Sequence, residues 1–131
     1  MTSRVPTRWI AQMDGQLEDA GRRLAAADAH LAAGEGGRAL EEVYPGVMGV
    51  AMVQVWLADE PWRQQRSLEN MSRLVREALP SGFATLFEMK REQRSLTGWR
   101  AEDARPLVEE ARAFIARVRA RVDACRTPPP A

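Results

Sequence analysis

Residues 38–58, RALEEVYPGVMGVAMVQVWLA, place an apolar side chain on almost every side of whatever element they form. Leu40, Val43, Tyr44, Val47, Met48, Val50, Ala51, Val53, Val55, Trp56 and Leu57 do not alternate with polar residues as a half-buried strand would. Wound at 3.6 residues per turn they cover most of a helix circumference. A helix apolar on most sides is surrounded by others. The segment is therefore predicted to be the central helix of a bundle, with Val47, Ala51, Val55 and Trp56 buried. Pro45 removes one backbone donor and is expected to kink the helix. Gly46 and Gly49 are expected to let a neighbouring helix approach closely.

Outward from this segment the pattern stays helical. Before it, Trp9, Met13, Leu17, Ala20, Leu24, Ala27 and Leu31 step by three or four along a first helix over residues 6–33. Gly34-Glu35-Gly36-Gly37 stops that helix. After it, Asp59-Glu60-Pro61 marks an exit, and a third helix is predicted over 62–79 with Leu68, Met71, Leu74, Val75 and Leu79 as its stripe. A short fourth helix should run from a Ser81 cap to about Arg94, with Phe83, Leu86, Phe87 and Met89 facing inward. Thr97-Gly98 punctuates. A fifth covers 102–124, its stripe being Leu107, Ala111, Phe114, Ile115, Val118 and Val122, and Pro106 must fall in its first turn. No β pattern or hairpin dipeptide competes. The fold class is all-α, an antiparallel bundle of four to five helices in one domain over 6–125. The Pro-rich tail, 126–131, is expected to be disordered.

The chain has 131 residues, 45% hydrophobic and 28% charged, a globular composition with length enough for one core. No window approaches the roughly 18 apolar residues of a membrane span, so no membrane association is expected. Cys125 is the sole cysteine, which excludes an internal disulfide and a thiolate metal cage; a reducing, cytoplasmic setting is the expectation. His30 is the sole histidine, and Ala27 stands where a di-iron Glu-x-x-His motif needs its glutamate. No metal, no cofactor and no catalytic residue are therefore assigned. His30 is read as a helix-end histidine complementing the dipole. The methionines are read as core filler, and Trp62 and Trp99 as candidate interface anchors.

The net charge of +1 conceals an asymmetry: residues 1–60 sum to −4 and residues 61–131 to +5. Such a division fits a nucleic-acid face, or two halves that attract each other within the bundle. The basic run Lys90-Arg91-Glu92-Gln93-Arg94, with Arg100 nearby, likewise fits helix-end charges or a phosphate-binding corner.

Three stretches, in order, resemble the HEPN superfamily of helical nucleotide-binding domains. Ala39-Leu40-Glu41-Glu42-Val43-Tyr44-Pro45 through Trp56-Leu57 looks like that family's second helix. Arg94-Ser95-Leu96-Thr97-Gly98-Trp99 occupies the place of its Arg-x4-His motif. Ala101-Glu102-Asp103-Ala104 followed by Val108–Ile115 is similar to its last helix. The resemblance spans residues 17–122 and implies a helical bundle, a homodimer and a nucleotidyltransferase-type protein partner. In the family the arginine stabilises phosphate charge and the histidine moves the proton in metal-independent RNA cleavage. Here Trp99 replaces that histidine, and indole has no basic nitrogen. The resemblance thus implies a non-catalytic interaction module with weak nucleotide or RNA binding through Arg94, Arg91, Trp99 and Arg100. The alternatives are an active ribonuclease of the toxin class and a structural bundle unrelated to the family.

Overall fold

The computed structural model describes residues 5–62, 71–96 and 98–126. Five helices form: α1 (Thr7–Ala32), α2 (Gly36–Asp59), α3 (Met71–Ala78), α4 (Ser81–Arg91) and α5 (Ala101–Arg126). No strand occurs among the described residues. Leu68 and Thr97, named above from the sequence, lie outside them, as does the tail from residue 127.

The central position of α2 follows from its apolar circumference. It packs on α1, α3 and α5, and Val47, Ala51 and Val55 are buried as expected. Trp56 is only half-buried, because it sits near the end of α2, where its ring meets Trp9 edge-on, centroids 5.3 Å apart. The helix passes through Pro45 without interruption. Pro45 lies on an exposed part of the helix.

Antiparallel order can be read from the contacts. A Cβ placed on Gly46 would lie 3.1 Å from the Ala20 Cα, tighter than an ordinary contact, so glycine eases the close crossing of the two backbones. Three residues further along α1, Arg23 reaches Glu42, four residues back on α2, at 3.6 Å. On the other flank of α1, Asp28 bonds Arg112 at 2.6 Å and Asp14 bonds Arg126 at 2.8 Å. Rising numbers on α1 meet falling numbers on both neighbours.

These last two pairs, with Glu41–Lys90 at 2.7 Å, each join an acid of the first half to a base of the second. The charge asymmetry is thus used, at least in these pairs, to fasten α5 to α1 and α4 to α2. Hydrogen bonding to Arg126 lowers the Asp14 pKa, and the bond to Asp28 raises that of Arg112.

Of the buried apolar side chains, all but Val75, Leu79, Phe83, Leu86 and Leu96 belong to α1, α2 and α5. No polar or charged residue is buried among the described residues. The α4 start differs from expectation: Pro80 is the cap residue and Ser81 makes no capping bond. Glu110 of α5 supplies the acceptor instead, taking the Gly82 N–H at 2.8 Å, which satisfies one orphan donor from a neighbouring helix. α4 ends at Arg91 rather than Arg94. α5 is longer than expected and includes Arg126. Pro106 lies in its second turn, on an exposed face where water can take the freed carbonyl.

Candidate functional site

The corner singled out by the sequence is built from two helix ends of the same kind. α1 closes with Gly34 in the left-handed region, φ 78°, the Gly34 N–H bonding Leu31 O at 3.0 Å and the Glu35 N–H bonding His30 O at 2.8 Å. α4 closes with Gln93 at φ 58°, its N–H bonding Lys90 O at 3.0 Å and the Arg94 N–H bonding Met89 O at 2.9 Å. Both are Schellman terminations. Glu35 and Arg94 hold the same position in them, the residue that turns the chain toward the next element.

In the first termination the side chains add to the backbone bonds. His30 Nδ1 lies 3.1 Å from Glu35 Oε1, and Glu35 Oε2 lies 3.3 Å from Arg38. The His30 hydrogen bond, reinforced by Arg38, lowers the Glu35 pKa. His30 is therefore engaged at the α1–α2 turn, in the last turn of α1.

From the second termination the chain continues through the buried Leu96 to Trp99, whose N–H bonds Leu96 O at 3.2 Å. Arg100 immediately precedes α5 and its carbonyl accepts the Asp103 and Ala104 N–H groups. This backbone lies directly on α2: a Cβ on Gly36 would stand 2.4 Å from the Arg100 carbonyl carbon and oxygen. Glycine at 36 is what allows the N-terminal ends of α2 and α5 to touch. Both ends carry the positive pole of a long helix dipole, and Glu35 lacks a capping bond to α2.

Trp99, half-buried, stands at this junction and lines two depressions. One, about 220 Å³, is formed with Gly34, Glu35, Gly36, Gly37 and Arg38. The other, about 540 Å³, is formed with Ser95, Gly98 and Asp103. The sequence reading missed Glu35, Gly36 and Arg38, because Gly34–Gly37 signalled only a helix stop. A glycine-rich run opening a helix was the available clue.

Of the four candidate residues, the structure brings only Trp99 to these depressions. Arg91, Arg94 and Arg100 line neither. Each is exposed and paired locally, Arg91 with Glu88 at 3.7 Å, Arg94 with Glu92 at 3.6 Å and Arg100 with Glu102 at 3.1 Å. Within the cluster Lys90 has a different role, bonding Glu41 and resting 5.9 Å from the Tyr44 ring centroid. Among the described residues no three His, Cys, Asp or Glu side chains form a group that could hold a metal ion. Comparison with known proteins returns no matching family model, no matching curated protein and no matching solved structure. No helix among the described residues is long and apolar enough to cross a membrane.

Proposed function

We propose that the chain is a non-catalytic, HEPN-like interaction module, working as a homodimer that contacts a partner protein of the nucleotidyltransferase type or a nucleotide or RNA phosphate. One observation carries this reading: Trp99 sits where two helix N-termini meet, with no proton-transfer group lining the depressions beside it other than the carboxyls of Glu35 and Asp103. Helix N-termini favour phosphate, an indole face stacks on a base, and the water-exposed guanidinium of Arg94 can exchange Glu92 for a phosphate oxygen. His30, the sole imidazole, is bonded to Glu35. Without a free imidazole, the proton transfer that contributes roughly 10²–10⁴-fold to cleavage is left to carboxylates, which are weak bases at neutral pH. α2 offers little support for dimerisation, since most of its apolar surface is covered within the chain.

The test is fluorescence anisotropy with a labelled single-stranded RNA, run beside a cleavage gel and light scattering. The expected results are weak binding that falls with salt, loss of much of it in Arg94→Ala and Trp99→Ala, intact RNA, and twice the mass of one chain. Robust cleavage abolished by Arg94→Ala would establish the ribonuclease alternative. A monomer that ignores RNA would leave a structural bundle.

A further inference from the structure

A second region shares no residue with the Trp99 corner. Met48 and Met52, one turn apart on α2, face Met71 of α3 across a cavity of about 340 Å³. Trp56 and Phe87 add two aromatic rings to its wall, and Gln16 of α1 adds a carboxamide that lies over Gly49. These five side chains are all half-buried, and the buried Val75 completes the apolar lining. Four helices thus frame one pit.

We propose that this cavity binds a small planar aromatic molecule bearing one amide or similar hydrogen-bonding group. The volume lies at the small end of ligand pockets, roughly 300–1,000 Å³. Thioethers are conformable and polarisable and pack well on ring faces and edges, so three of them beside two aromatic rings suit a flat ring system. The Gln16 amide makes no hydrogen bond to the protein among the described residues, which leaves it to orient a polar substituent.

An amphipathic partner helix fits less well. It needs a groove running past several turns for anchors at i, i+3/4 and i+7. Here α3 divides the apolar surface: on its far side Val55, Ala58, Leu74 and Ala78 line a separate depression of about 260 Å³. Two pits separated by a helix suit compact occupants; both carry a glutamine, Gln54 of the second having a buried Oε1 without a partner, and only the methionine-lined one has aromatic walls.

The probe is 2-naphthamide, with naphthalene as the amide-free control, titrated into the full chain with ¹³C-methyl-labelled methionine. The Met48, Met52 and Met71 methyl signals should shift to saturation while buried Met13, outside the cavity, stays fixed. Gln16→Leu should weaken 2-naphthamide about tenfold, the loss of roughly one hydrogen bond, and leave naphthalene unchanged. Ser72→Trp, at the exposed rim, should block both. If Gln16→Leu also loses naphthalene, Gln16→Ala repeats the comparison. Failure to saturate at the solubility limit, or equal affinity of 2-naphthamide for the parent and both Gln16 variants, overturns the proposal. So do shifts that follow protein concentration without probe, which would make a second copy the occupant.

Discussion

The three long helices and the α3–α4 arm are built from the same residue types but held in different ways. α1, α2 and α5 interlock along their lengths, each with at least six buried residues. α3 buries only Val75, and α4 only Phe83 and Leu86. The arm is held by those anchors and by polar links: Arg76–Glu88 at 2.6 Å between its two helices, Lys90–Glu41 to α2 and the Gly82 N–H to Glu110 of α5. Both apolar cavities flank α3. Continuous apolar stripes leave no room between helices, whereas a short helix pinned at a few points leaves space that a ligand can use.

The largest expected effect contrasts a core side chain with one in the arm. Leu17→Ala, at a site 1% exposed, should cost about 2–5 kcal/mol in urea unfolding. Met71→Ala, half-buried at a cavity wall, should cost about 1 kcal/mol or less, since the space beside it is already open. Equal losses would erase the distinction.

Next comes the closeness of the α1–α2 crossing. Gly46→Ala gains about 1 kcal/mol of helix propensity but sets a methyl 3.1 Å from the Ala20 Cα, so net destabilisation of about 1–2 kcal/mol is expected. Gly15→Ala meets nothing within 4 Å and should stabilise by about 0.5–1 kcal/mol. The same sign at both positions, read from thermal melts, would mean that the crossing has slack.

The smallest effect concerns the ion pairs joining α1 to α5. The folded Asp14 pKa lies below its unfolded value because Arg126 bonds the carboxylate. The bridge therefore contributes fully above about pH 4, the ordinary aspartate value, and is lost as pH falls through the lower folded pKa. Arg126→Ala should lower Tm slightly at pH 7, and the difference from the parent should shrink as pH falls below about 4. A difference persisting in acid would assign the loss to packing of the arginine stem instead of charge.

The sequence by itself determined the class of fold and most of its core. The seven-residue stripe of α1 and the all-round apolar character of α2 are repeated patterns, and averaging over several turns makes them robust to any single residue. Helix ends were less legible. Ser81 looked like a cap, but Pro80 holds the cap position, and Glu110, 28 positions away along the chain, takes the Gly82 N–H, a partner no local pattern reveals. Pro106 and Pro45 lie within helices, both on exposed faces, a matter of orientation. The candidate site divides in the same way. Trp99 could be singled out from its spacing to Arg94, yet its neighbours Glu35, Gly36 and Arg38 are more than 60 residues away in the chain. Only the tertiary structure decided that α5 would begin against the start of α2, because that contact depends on a missing Cβ at Gly36 and on how long helices cross. It also decided that the charge asymmetry would be spent partly within the fold: periodicity fixes which face of a helix is buried, while packing alone fixes which charges that face brings together.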